Sequence, residues 1–180
     1  MQYLLIDSPG DPNLPFVKDL YYSAFPKKER REWDELTEML GSVPEMQLQV
    51  IVEGGEPVGM ITSWKLRDWH FIEHFAISEM QRGNGCGQNV MKDFLEDGKV
   101  LLEVEPPSNA EAIRRIKFYE RVGMACLDFP YLQPPYRKTG KPYEMVLMSN
   151  VTGDDEAETA EIVKLIFEKV YNSPGGYSQL

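Results

Sequence analysis

Three glycines at alternate positions, Gly83, Gly85 and Gly87, stand in the stretch MQRGNGCGQNVMKDFLED, between a strand-like run and a helix-like one. Each glycine costs backbone entropy on folding, so three together need a reason. One reason is a tight turn that enters left-handed conformations. The other is bare backbone, which lets an anionic ligand reach the N–H groups of the turn and of the positive helix end behind it. Carboxylates are the second feature. Strand alternation in DWHFIEHFAIS puts Glu73 on one face with Phe71, Phe75 and Ile77, and apolar neighbours are expected to raise its pKa. In KVLLEVE, Glu103 competes for the same work, and Glu105 follows on the same face as Leu101. Each carboxylate reads as a general base, an exposed sheet residue or a clamp for a cationic substrate.

The elements that must hold these groups follow from hydrophobic periodicity. Residues 2–6 read as a strand, and Leu14–Ala24 and Glu29–Leu40 as helices separated at Pro26. MQLQVIVEGGEPVGMITSWKL is a hairpin turning at Gly54 and Gly55, and DWHFIEHFAIS is the next strand. A helix over 88–97 closes at Gly98, KVLLEVE is a strand, and a helix capped by Asn109 runs to Gly123. MACLDF and EMVLMSN read as late strands around the proline- and tyrosine-rich loop PYLQPPYRKTGKPY. An acid-capped amphipathic helix follows, with Ile162, Leu165, Ile166 and Val170 inward. The strand, glycine turn, helix and strand of residues 69–105 favour a parallel right-handed crossover.

With 180 residues, one core is the expected arrangement. A formal net charge of −10 argues against nucleic acid and leans toward cationic substrates. The N-terminal segment is too short in apolar residues for a membrane span, and no membrane partner is expected. Cys86 and Cys126 lack a metal-ligand pattern, so no metal is expected and free thiols in a cytoplasmic protein are. His70 and His74, four apart in a strand, point the same way and read as satisfied sheet histidines before a metal pair. The basic run Lys27, Lys28, Arg30 and Arg31 reads as a solvated turn with a helix start.

A nucleoside-triphosphate loop needs Gly-Lys-Ser/Thr, and Gln88 and Asn89 follow Gly87 here. A dinucleotide fingerprint spaces its glycines differently and belongs near the first strand. Arg82-Gly83-Asn84-Gly85-Cys86-Gly87 instead matches R/Q-x-x-G-x-G/A, after IEHFAIS and before LLEVEPPSNAEAIRRIKFYERVGM. On these motifs residues 1–150 resemble the GNAT superfamily of acyl-CoA-dependent N-acyltransferases.

The resemblance implies an α/β fold: a mixed, mostly antiparallel sheet, a splayed parallel pair of strands four and five, flanking helices and an extra C-terminal helix. It implies acetyl-CoA as donor, with CoA as product. The pyrophosphate would lie on Arg82, Gly83, Asn84, Gly85, Cys86, Gly87 and Gln88, and the pantetheine arm along the backbone of Phe75, Ala76 and Ile77. Asn109 resembles the asparagine that binds the cofactor at the start of the fourth helix, although one turn more separates it from Tyr119 than in many relatives. Tyr119, in F-Y-x-x-x-G-M, matches the general acid near the sulfur; it also shares a helical face with Ala112 and Ile116, as a core aromatic would. Relatives use a carboxylate on strand four or five as base, which leaves Glu73 and Glu103 as catalytic candidates. The acceptor side would be residues 14–40, with Trp33, and 129–143, with Tyr131, Tyr136 and Tyr143.

The expected function is transfer of acetyl from acetyl-CoA directly to a primary amine, of a small molecule or of a protein or peptide, in a ternary complex. The alternative is a catalytically inactive acyl-CoA-binding sensor or interaction module. The C-terminal helix, 151–172, is expected to pack on the same domain or on a partner subunit, making a homodimer in the second case, with 173–180 as a flexible tail.

Overall fold

The computed structural model describes residues 1–137, 140–151 and 156–173. Of the tail expected over 173–180, all but Ser173 lies outside these residues, as do residues 152–155 before the last helix.

Strands β1 (Gln2–Ile6), β2 (Met46–Glu53), β3 (Glu56–Leu66) and β4 (Trp69–Ile77) form an antiparallel meander. Gly54 and Gly55 close the β2–β3 hairpin at φ +62° and +88°, the left-handed conformations a two-residue loop matched to strand twist demands. Helix α3 (Cys86–Glu96) crosses over to β5 (Lys99–Val104), which pairs parallel with β4. Helix α4 (Ala110–Arg121) starts at Asn109, whose side-chain oxygen accepts from the N–H groups of Glu111 and Ala112, both at 2.9 Å. Short strands β6 (Ala125–Cys126), β7 (Leu132–Gln133) and β8 (Tyr143–Glu144) precede β9 (Val146–Ser149). The main sheet runs β1-β2-β3-β4-β5-β9-β6, so β4 and β5 are central; β7 and β8 make a ribbon of their own. This is the mostly antiparallel α/β sheet with one parallel central pair that the motifs implied.

Two apolar layers cover the sheet. Helices α1 (Leu14–Ala24), α2 (Trp33–Met39) and α5 (Glu156–Leu165), the last continued by a π turn at Ile166–Val170, share a core with Trp64, Phe71 and Leu101. On the other face α3 and α4 pack Met91, Ile116 and Tyr119 on Ile72, Val100 and Leu102. The last helix spends its apolar side on its own chain: Ile162, Val163, Ile166, Phe167 and Val170 are all in the first core. Trp33, expected on the acceptor side, is buried there too, beside Tyr21.

Two expectations need correction. The second helix begins at Trp33, not at Glu29: a single turn at Lys27–Glu29 is followed by extended backbone at Arg30 and Glu32. That extended link lets the Arg31 side chain run inward, and the Arg31 N–H donates to the Tyr21 hydroxyl at 2.9 Å. The strand in MACLDF is only two residues long, because the chain beyond it leaves to form the loop over the sheet.

Candidate active site

β4 and β5 pair from Trp69↔Lys99 to Ile72↔Leu102 and no further. The next residue on each strand is a candidate carboxylate, Glu73 on β4 and Glu103 on β5. At the same point β4 carries a bulge: Ser63 of β3 faces Ile72 and Thr62 faces His74, so Glu73 is an extra residue with no partner. Two parallel strands that stop pairing leave a slot lined by unpaired backbone. Glu73 shows that slot: its side chain is fully shielded, yet the residue is partly exposed, so its exposure is all main chain.

The bulge also reverses the alternation read from sequence. Glu73 shares a face with Phe71 and Trp64, while Phe75 and Ile77 turn to the opposite face, against the α3 and α4 side. His74 falls in the first core with Tyr21 and Phe25, so it and His70 point to opposite faces and cannot converge on one ion. Its Nε2 lies 2.9 Å from the Glu29 carbonyl.

Glu73 therefore has a polar environment. Arg31 donates from Nε at 3.0 Å and pairs through Nη2 at 2.9 Å, both to Oε1, and Trp64 Nε1 donates to Oε2 at 2.7 Å. Burial pushes its carboxyl up, but the Arg31 guanidinium and the Trp64 N–H outweigh this and hold it below the ordinary carboxylate range. The expectation of a raised Glu73 pKa fails for that reason. Arg31, read as part of a solvated turn, is instead a mostly buried ion-pair partner.

Glu103 has the character expected of Glu73. Its carboxylate accepts from the Tyr131 hydroxyl, from Gln133 Nε2 and, at 2.7 Å, from the Tyr171 hydroxyl. Gln133 also donates to the Tyr171 oxygen at 2.8 Å. No cation is among these partners, and burial pushes the carboxyl up to about 7, against the pull of the three donors.

Beyond β4, Gly83 and Gly85 take φ of +87° and +80°, and an added Cβ at either would project into open space. Gly87 differs: it lies in the first turn of α3, where an added Cβ would come into ordinary contact with Ile77 and Phe118. Arg82 Nε donates to the Ile77 carbonyl at 3.1 Å, which ties the turn to the end of β4. With Gly85 as N-cap, the N–H groups of Cys86, Gly87 and Gln88 have no carbonyl one turn earlier in the helix. The turn is thus a backbone cradle at a positive helix end, suited to a phosphate.

Residues 14–124 match the family model described as Acetyltransferase (GNAT) family. The chain belongs to the GNAT acetyltransferase family. No curated protein sequence matches it. Among solved structures it is similar to a protein from Bacteroides thetaiotaomicron described as a GNAT-family acetyltransferase, at 29% identity over 95% of this chain and 98% of that one, with a TM-score of 0.89. A variant of spermidine N-acetyltransferase from Vibrio cholerae shares the fold at 13% identity, 83% and 94% coverage and a TM-score of 0.62. A Bacillus subtilis acetyltransferase in complex with CoA does so at 15% identity, 84% and 100% coverage and a TM-score of 0.55.

Within this GNAT fold Tyr119 lies on the α4 side of the sheet, opposite the two carboxylates, with Ile72, Leu102 and Val104 around it. Its phenol is buried, which pushes its pKa up to about 12. Asn109 has its side-chain oxygen engaged in capping α4, a bond that does not use its amide N–H groups. The residues that sequence reasoning missed are Arg31, Trp64, Gln133 and Tyr171. None belongs to a local motif, and Tyr171 lies beyond the segment that matches the family. Of the loop tyrosines, Tyr131 is held to Glu103, Tyr136 stacks on His74 with centroids 5.8 Å apart, and Tyr143 lines a surface cavity.

Proposed function

We propose that this GNAT protein transfers an acetyl group from acetyl-CoA directly to a primary amine, both substrates being bound together. The observation that carries the reading is the fork: β4 and β5 part at Glu73 and Glu103, with the glycine cradle at the far end of β4. The residues fit the donor, since Gly83 and Gly85 leave open the space that side chains would fill, and helix N–H groups stand ready for a pyrophosphate. CoA in the Bacillus subtilis neighbour and spermidine as the named acceptor of the Vibrio cholerae one support donor and acceptor classes.

Bound along the fork, acetyl-CoA supplies the activated acyl carbon and a thiolate leaving group. Glu103 takes the proton from the incoming ammonium, which a carboxyl titrating near neutrality does well. Exposed β4 main chain at the bulge donates an N–H to the carbonyl oxygen as negative charge builds there. The Tyr119 phenol holds a proton for the departing sulfur. Glu73 stays ionised, its charge met by Arg31, and holds the β4 bulge in place at the fork. Phe75, Ala76 and Ile77 give pantetheine its backbone partners, with Arg82 to Gln88 and the Asn109 amide holding the phosphates and arm. Two unpaired cysteines, one buried and one exposed, support a reducing cytoplasmic setting.

The test is thermal-shift titration with acetyl-CoA, CoA and ATP, then an amine panel read by release of free thiol. Stabilisation by both CoA species but not ATP, with turnover of at least one amine, is expected. Binding without turnover of any amine would favour the sensor, and no binding would remove both readings.

A further inference from the structure

Strand β7 reverses the usual preference for burial. Its apolar residue, Leu132, is 39% exposed, while its amide, Gln133, is 6% exposed. The buried amide has partners that explain it. Its Nε2 lies within hydrogen-bond reach of Glu103 Oε2 and, at 2.8 Å, of the Tyr171 oxygen. The carboxylate fixes which way the amide points, because an amide carbonyl turned toward Oε2 would set two acceptors against each other. Gln133 is therefore a donor to both. This also directs the Tyr171 proton: the phenol oxygen receives an N–H from Gln133, and its own O–H lies on Glu103 Oε2 at 2.7 Å.

Oε2 thus receives both Gln133 and Tyr171, which fills its two lone pairs. Oε1 receives the Tyr131 hydroxyl alone among the described residues and keeps one lone pair open. We infer that Gln133 is a positioning residue for the base: it holds Oε2, turns the Tyr171 hydroxyl onto the same oxygen, and leaves Oε1 to take the proton of the acceptor. This rests on the acetyl-transfer reading, in which Glu103 is the base. The N–H bond of the ammonium breaks with its electron pair left on nitrogen, the O–H bond forms at Oε1, and the freed amine attacks the acyl carbon. Without the amide, the carboxylate is free to turn and Tyr171 is free to donate elsewhere. The titratable groups that face Glu103 are Tyr131 before β7, Tyr136 after it, Tyr171 beyond the π turn and Glu73 across the fork. The three phenols are pushed up and Glu73 is held down, so only Glu103 titrates near neutrality.

The experiment follows the Glu103 carboxyl carbon by NMR against pH in protein carrying carbon-labelled glutamate, the signal being assigned by its loss in Glu103→Gln. No ligand is needed. Gln133→Leu is expected to move the titration upward by about one pH unit, the effect of one donor lost from a charged group. Combined with Tyr171→Phe, it should move the titration by less than the sum of the two single shifts, since part of the glutamine's effect acts through that hydroxyl. Gln133→Met, of the same length, takes the place of the leucine variant if melting shows that the latter does not fold. With acetyl-CoA and spermidine, butylamine or a tripeptide as acceptor, kcat above the titration should fall about tenfold while KM for acetyl-CoA holds. An unmoved titration, additive shifts or an unchanged kcat would overturn the inference. Thiol release with none of these amines by the native protein would instead overturn the acetyl-transfer reading, and the base role with it. The titration shows separately whether the amide holds the carboxylate.

Discussion

Arg31 Nη2 lies 2.9 Å from Glu73 Oε1, in an ion pair whose glutamate side chain is fully shielded and whose arginine side chain is 12% exposed. The pair joins the link before α2 to the bulge of β4, and the same Nη2 donates to the Val170 carbonyl at 2.5 Å. Three parts of the chain meet at one guanidinium, next to the point where β4 and β5 separate.

Breaking this pair from one side leaves a buried charge. Arg31→Gln is expected to cost about 3–5 kcal/mol in urea unfolding at neutral pH. Glu73 is held below the ordinary carboxylate range, so the stability it contributes is present above that range and is lost as pH falls through its folded value. The variant should lose that acid-side dependence, and a cost below about 1 kcal/mol would show the pair to be dispensable.

Glu103 has the opposite sign. Its folded value of about 7 lies above the ordinary 4.5, so between these values the unfolded chain gives up its proton first. Stability should therefore decline as pH rises from about 4.5 to about 7, by roughly 3 kcal/mol at most, and level off above. Unfolding of Glu103→Gln across the same range should lack this decline.

If Glu103 is the base, kcat/KM rises with pH and levels off above about 7. Tyr171 donates to the carboxylate and favours its ionised form, so Tyr171→Phe should move the rise upward by about one pH unit. A lower rate with an unmoved profile would reduce Tyr171 to a packing residue.

Tyr119→Phe keeps the ring in its apolar layer and removes the proton. Turnover should fall about a hundredfold or more with CoA affinity little changed. Equal loss of both would remove Tyr119 from the acid role and leave it as core.

Gly85 and Gly54 are both left-handed and both have open space where a Cβ would stand. Alanine at either should cost about 1–2 kcal/mol of stability through backbone strain. Only Gly85→Ala should also weaken CoA binding, by about tenfold, because only there would the methyl group enter phosphate space. Equal CoA affinity in the two variants, measured by calorimetry, would show that the cradle holds no phosphate.

Local sequence accounted for what local forces decide. Periods of two and of about 3.6 residues located β1, α1, the β2–β3 hairpin, β5 and α4, and the glycine spacing located the left-handed turn before α3. Asn109 and Gly123 marked the ends of α4 because a cap needs only neighbouring N–H groups and a left-handed exit. The same local reading failed at Glu73. Alternation holds only while pairing is regular, and one unpaired residue sends every later side chain of β4 to the other face.

The sequence by itself determined the family, the element order and a short set of carboxylates, because these follow from motif spacing and from which side chains favour which backbone. Only the tertiary structure decided which carboxylate stays charged. Arg31 reaches Glu73 across 42 residues and Tyr171 reaches Glu103 across 68, and both Glu side chains are desolvated. In a desolvated site one cation against three neutral donors separates a carboxylate held ionised from one that titrates near neutrality. That difference depends on contacts between distant segments, and no pattern within either segment encodes it.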